Sequence, residues 1–274
     1  MKIKKNDIDL ERTLMSGQAF RITKEEDSSF TCILSDRVVN IKEENDYLII
    51  DSNNTENLEM IVKYYLDYGR DYNTINDFIK STHLLKEVPT GYKILKQDKF
   101  EMFISYIISQ NNFVNRISNT VNKISEKYGE EVVFNNKVYY LFPKQDKLVN
   151  LSIDDLSEFK LGFRRAYVYN ALQVLKDNPF YLEELDMLDS FSATKELMKI
   201  KGIGLKVASC ILLFGYSRFD TFPIDTWVKK YVSKEFNLEP NINEIKKFMQ
   251  ENFKEYSGCA IQYMFDINRN RKLD

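Results

Sequence analysis

Several residue types are scarce in this chain, and each scarcity closes off a class of chemistry. Histidine occurs once, at His83, so neither a Ser/His/Asp arrangement nor a multi-histidine metal site can be built; the position reads as a helix cap or surface residue. The three cysteines, Cys32, Cys210 and Cys259, lie far apart without ligand spacing. That excludes a sequence-evident zinc site or four-cysteine iron–sulfur cluster and points to reduced thiols in the cytoplasm. Nine glycines and five prolines argue against long flexible linkers. No apolar run approaches the roughly 20 residues of a membrane helix, and Met1 to Asp7 is charged with no apolar run behind it, so neither a membrane span nor a secretory signal is expected. An excess of positive charge is also missing: 39 Lys and Arg stand against 41 Asp and Glu, for a net charge of −2. This argues against wholesale attraction to phosphate polymers but leaves room for a local basic face.

What is present is a chain of 274 residues, 43% hydrophobic, with 17 Tyr and 19 Phe, enough for one large or two ordinary domains with aromatic-rich cores. The first third reads as strands at 30–34, 38–42 and 47–51, separated by Ser-Asp and Glu-Asn-Asp turns, and so as an antiparallel meander. Two helices follow, at 57–67 and 71–81, the first with an apolar stripe at Leu58, Ile61, Val62 and Tyr65. From about Phe100 helical period takes over. Helices are expected at 97–109, 112–128, 152–158, 164–177, 181–187, 192–199, 204–216, 224–235, 242–254 and 257–268, with Ser192 and Asn241 as N-caps and Gly129 and Gly215 as stops. The fold class expected is α+β: a small antiparallel β-rich domain over 1–95 carrying two helices, then an all-α body over 96–274.

The chemistry concentrates between Leu197 and Thr226. Gly202-Ile203-Gly204 breaks a helix into a tight turn from which a second helix restarts. Glycine accepts the positive φ of such a turn and leaves backbone N–H groups open to an anion, which the helix N-terminus also favours. Lys206 sits in the first turn of the second helix, and Asp225 waits behind Pro223. Taken alone, Gly-x-Gly is equally a plain helix–turn–helix corner and Asp225 a plain N-cap.

The full pattern, Leu197-x-x-Ile200-x-Gly202-Ile203-Gly204-x-Lys206-Val207-Ala208 followed by Pro223-x-Asp225, resembles the helix-hairpin-helix, Gly-Pro-Asp motif of the base-excision DNA glycosylases. Lysine at 206 implies the bifunctional subclass, in which the amine attacks the sugar C1′, displaces the base and leaves a Schiff base that allows strand cutting. The amine must be deprotonated, and burial, a nearby cation or the helix N-terminus all disfavour its charge. The resemblance gives Asp225 the task of stabilising positive charge on the sugar and shuttling protons. Trp227 stands where these proteins often have histidine.

Other blocks select a branch. Leu14-Met15-Ser16-Gly17-Gln18-Ala19-Phe20-Arg21 resembles the Ser-Gly-Gln-x-Phe-Arg segment of the 8-oxoguanine DNA glycosylases, the eukaryotic branch included, with Ile22 where tryptophan is usual. 8-Oxoguanine carries N7–H where guanine has a bare acceptor, so a backbone carbonyl at Gly17 would favour the oxidised base. By the same resemblance Asn111 fills the gap left by the flipped base and Arg116 reads the orphaned cytosine. Phe163 unstacks the opposite strand, and Arg164 hydrogen-bonds the cytosine. Cys210 and Phe265 sandwich the purine. The glutamine expected at 261 is Ile261, with Gln262 one place on, about 100° around a helix. In related proteins the hairpin carbonyls, here those of Met198, Ile200 and Ile203, hold a cation beside a phosphate; Gly202 and Gly204 are placed for that phosphate.

The expected protein is therefore a monomeric, cytoplasmic glycosylase/lyase for 8-oxoguanine in double-stranded DNA, preferably opposite cytosine. No cofactor is required for catalysis, and a structural cation sits at the hairpin. A glycosylase for alkylated purines or oxidised pyrimidines is one rival, and a non-catalytic helix-hairpin-helix DNA-binding module is another.

Overall fold

In the computed structural model the described residues are 1–271, with side chains through Asn268. The chain opens with β1 (Lys2–Lys4), α1 (Leu10–Leu14), β2 (Ile22–Lys24), β3 (Phe30–Ile33), β4 (Val38–Glu44) and β5 (Tyr47–Ser52). These strands form one antiparallel sheet in the order β1-β5-β4-β3-β2. The expected meander is its centre, with Phe30 opposite Ile41 and Ile41 opposite Ile50. The two short edge strands carry too little period-2 pattern to be read from sequence. One sheet face is apolar: Phe30, Cys32, Val39, Ile41, Leu48 and Ile50 pack against Leu10, Leu14, Leu58, Val62 and Leu66.

Helices α2 (Leu58–Tyr65) and α3 (Tyr72–Ser81) follow, and Asp71 caps the second by accepting from Asn73 and Thr74 N–H. They part company in packing. The first closes the sheet, whereas Tyr72, Ile75 and Ile79 of α3 join the hydrophobic cluster of the helical body.

That body comprises α4 (Lys99–Ile108), α5 (Val114–Tyr128), the hairpin β6 (Glu131–Phe134) and β7 (Lys137–Tyr140), α6 (Gln145–Leu148), α7 (Arg164–Asp177), α8 (Tyr181–Glu184), α9 (Ser190–Met198), α10 (Leu205–Gly215), α11 (Thr226–Phe236), α12 (Ile242–Phe253) and α13 (Ser257–Arg271). It is helical apart from β6–β7, a hairpin not foreseen, whose two-residue turn is Asn135-Asn136, both at positive φ. The segment expected as a helix at 152–158 is instead a 3₁₀ turn over Asp155–Phe159. Asn241 caps α12 as expected, but α9 begins earlier than Ser192. Asp189 is its N-cap, accepting from Ser192 N–H, and an aspartate three residues upstream out-competes the serine. Helices α4 and α10 lie at the centre: all ten residues of α4 except Lys99 are buried, as are Val207 to Gly215 of α10. Helices buried this completely belong in a core, and α10 presents only its first turn, Leu205 and Lys206, toward the surface.

Sheet and body are tied through Arg21, just past Phe20. Its Nε donates to Asn122 Oδ1 at 3.3 Å, its Nη2 donates to the Tyr140 carbonyl, and its Nη1 lies 4.0 Å from Glu101.

Candidate active site

The turn between α9 and α10 is closed by the Ile203 N–H donating to the Ile200 carbonyl at 2.9 Å. Gly202 has φ +104°, and a Cβ added there would sit 2.2 Å from Cγ of Tyr167 on α7, so only glycine fits. Gly204 differs. As the N-cap of α10 it has ordinary extended backbone, and a Cβ there would meet nothing within 4 Å. The first turn of α10 thus offers its N–H groups to an open face.

Lys206 is half-buried in that first turn, its Nζ 5.9 Å from the centroid of the Tyr106 ring. One turn on, Cys210 is buried, and burial pushes its thiol up to about 11 while the neighbouring Lys206 ammonium pulls the other way and the Asp225 charge adds to the rise. Cys210 therefore feels both the amine and the carboxylate. Asp225 ends an extended segment, Phe222 to Ile224, and caps α11: one oxygen, Oδ1, accepts from the Val228 N–H at 2.8 Å. Lys206, Cys210, Asp225 and Gly17 line one cavity of about 520 Å³, together with Phe265 and Gln262. The residues that the sequence motifs scatter across 250 positions converge there.

The wall carrying Gly17 is held rigidly. Gly17 has φ +86°. Beside it the buried Gln18 side chain donates to the carbonyls of Thr13 at 3.0 Å and Lys93 at 2.9 Å, and accepts from Leu95 N–H at 2.8 Å. Its own carbonyl accepts from Tyr106 Oη at 3.2 Å, which links the Gly17 segment to the ring beneath Lys206. From α13 both Ile261 and Gln262 line the cavity, so the one-residue offset does not remove the amide. Gln262 is 8% exposed and its Oε1 accepts from Tyr92 Oη at 3.4 Å. Phe265, at the cavity mouth, packs its ring edge-to-face with Trp227, centroids 5.2 Å apart.

Val114, Asn115 and Ser118 of α5 line the cavity; near them in sequence, Asn111 stands exposed at φ +46° in the α4–α5 loop, and Arg116 is exposed two residues into α5. Gln110 and Asn112 are caps, donating to the Ile107 and Ile108 carbonyls of α4. Phe163 is 54% exposed at the N-cap of α7. Arg164 is buried instead, with Nε donating to the Gln110 carbonyl at 2.5 Å and Nη2 to that of Asn111 at 2.6 Å. Burial, and then the nearby Arg116 charge, lower its pKa. Its donors serve the loop, not an open surface. Sequence reasoning passed over Tyr106, hidden in an apolar helix, and Phe113, which is 79% exposed beside Val114 at the cavity.

For the hairpin cation, the Ile200 carbonyl already accepts from Ile203 N–H, and among the described residues no group of three His, Cys, Asp or Glu side chains could hold a metal.

Residues 1–103 match the family model described as 8-oxoguanine DNA glycosylase, N-terminal domain. The fold superposes on Clostridium acetobutylicum 8-oxoguanine glycosylase/lyase in its apo-form with a TM-score of 0.89 and 33% identity, over 97% of this chain and 98% of that one. MBOgg1 in complex with a low-affinity DNA ligand gives 0.90 and 34%, over 99% and 96%. The chain belongs to the 8-oxoguanine DNA glycosylase family. An N-glycosylase/DNA lyase of Saccharomyces cerevisiae is a more distant relative, 26% identical over 90% of this chain and 73% of its own. In this 8-oxoguanine glycosylase fold the blocks around Gly17, Lys206, Asp225 and Phe265 that carried the resemblance all contribute to the cavity lining.

Proposed function

We propose that this chain is a bifunctional DNA glycosylase and AP lyase that flips 8-oxoguanine out of duplex DNA and excises it. The observation that carries the reading is the convergence of Lys206 and Asp225 on one cavity whose far wall is Gly17. A cavity of about 520 Å³ takes a flipped purine nucleoside, and its lining includes the exposed Val114, Asn115 and Phe265.

The chemistry follows from the positions. The Lys206 amine, once deprotonated, forms a bond from Nζ to C1′ as the bond from C1′ to N9 breaks, and the departing base takes the electron pair and a proton. Asp225, with one oxygen held by the Val228 N–H, supports positive charge on the sugar and relays the proton released from Nζ. Loss of the ring oxygen from C1′ then yields the imine, whose C2′ proton can be removed to eliminate the 3′ phosphate. Gly17 would accept from N7–H of the oxidised base, and Gln262 would meet its Watson–Crick edge from the wall that Ile261 shares. Gly202 and Gly204 would anchor the neighbouring phosphate, with a cation on the Met198, Ile200 and Ile203 carbonyls as a further support. Asn111 and Phe163 would occupy the disturbed stack, and Arg116 would address the orphaned cytosine. We take the working form to be a monomer.

Borohydride trapping tests the reading. The wild-type protein should give a covalent complex with an 8-oxoguanine duplex and Lys206→Gln none; a trapped adduct that survives Lys206→Gln overturns the assignment. Excision opposite each of the four bases should rank cytosine first.

A further inference from the structure

Phe265, which lines the cavity, is the first of three aromatic rings in series. Phe265, from α13, is 36% exposed and projects at the lip. Its ring meets Trp227 at 5.2 Å and 82°, and Trp227 in turn stacks on Tyr231 at 5.1 Å and 20°. Trp227 and Tyr231 are one helical turn apart on α11, whose N-cap is Asp225. A ring at this exposure cannot be fixed by core packing on all sides. An edge-to-face partner therefore decides which rotamer it holds, because such pairs have a preferred geometry beyond the area they bury.

We propose that Trp227 is a positioning residue for base capture: it holds Phe265 at the angle needed to stack on the extruded base, with Tyr231 as its backing. The inference rests on the functional reading above. Its physical content is a division of labour within one turn of α11. Asp225 serves the sugar, which every substrate retains, whereas Trp227 acts through Phe265 on the base, which an abasic site lacks. The two effects are separable by substrate. Stacking on the base raises the fraction of time the nucleotide is held extruded, so loss of the support lowers excision; cleavage of an abasic strand needs only Lys206, Asp225 and the phosphate contacts.

The test compares single-turnover excision of 8-oxoguanine with incision of an abasic duplex, in the wild type, Trp227→Ala and Trp227→Phe. Trp227→Ala should lower excision by roughly five- to tenfold, what an oriented ring pair is worth. Abasic incision should stay within about twofold, and Trp227→Phe, which keeps a ring edge, should recover most of the loss. Trp227 is the only tryptophan of the chain, so its emission supplies a second readout. In Lys206→Gln protein it should change more on binding an 8-oxoguanine duplex than on binding a duplex with a tetrahydrofuran site. Equal loss of excision and abasic incision in Trp227→Ala would reduce Trp227 to a structural residue of α11, and unchanged excision would overturn the proposal outright. A wild-type protein that incises abasic sites but leaves 8-oxoguanine in place would overturn the functional reading itself, and the inference with it.

Discussion

Arg164 Nη2 donates to the Asn111 carbonyl at 2.6 Å, so a buried guanidinium on α7 sets the backbone of the residue proposed to fill the gap in the duplex. Asn111 sits at φ +46°, a left-handed conformation that asparagine tolerates and that a charged hydrogen bond helps to hold. This separates two arginines that the sequence presents as a pair. Arg164→Gln should lower excision opposite all four bases alike and cost about 2 kcal/mol of stability, since it removes charged donors from buried carbonyls. Arg116→Gln should act mainly opposite cytosine and leave the melting temperature unchanged. Kinetics on the four duplexes together with thermal unfolding distinguish them, and a cytosine-selective loss in Arg164→Gln would reverse the roles.

The two hairpin glycines should also separate. Gly202→Ala meets the Tyr167 ring and a positive φ, so it should destabilise the fold by roughly 2–4 kcal/mol. Gly204→Ala has open space and ordinary backbone, so unfolding should be unaffected while DNA affinity falls, because the methyl group would occupy the path of a phosphate. Denaturation midpoints and a binding isotherm at fixed salt decide it; normal affinity in Gly204→Ala would remove the phosphate from that face.

The cysteines should be silent. Burial pushes Cys210 up to about 11, and Cys32 and Cys259 up to about 12. At about pH 8 the thiolate of Cys210 is then on the order of one in a thousand. Ellman's reagent should label no thiol in the native protein and three after unfolding. Rapid native labelling at Cys210 would show the cavity to be wetter than its packing implies.

Stability should fall as pH rises from about 4.5 to about 7, and Glu101 is the reason. Burial pushes its carboxyl up to about 7 against the opposing pull of Arg21, with Asp98 adding to the rise. A carboxyl whose folded pKa exceeds its unfolded one binds more protons when folded, so its favourable contribution is present at low pH and is lost between about 4.5 and about 7. Glu101→Gln, neutral throughout, should flatten this part of the profile. Urea midpoints at about pH 5 and about pH 8 provide the check; an unchanged slope in the variant would place the titration elsewhere.

Much of this architecture was legible from periodicity and punctuation. α7 and α12 run close to their expected bounds because their buried positions, such as Val168, Ala171 and Leu175 or Ile245, Met249 and Phe253, recur at helical period, and Asn241 caps the second. The cavity was legible because glycine, lysine and aspartate at fixed spacing carry their chemistry in the residue type. What escaped has a common physical cause. Arg164 and Phe113 swap the exposures their types suggest, and only tertiary hydrogen bonds make a buried guanidinium tolerable. Tyr106 lies in a helix buried on all sides, where no pattern marks one ring as the floor of a site. β6–β7 hides in a stretch whose strands are only four residues long.

Asp225 has one further consequence. Because Oδ1 is tied to the Val228 N–H, the carboxylate cannot swivel to exchange its two oxygens without releasing the first turn of α11. In the proposed reaction, proton transfer at the sugar would therefore fall to the other oxygen, Oδ2, whose location follows the helix. On that reading, loosening the seating of Val228 or Val232 in the core would move the carboxylate as well as the helix.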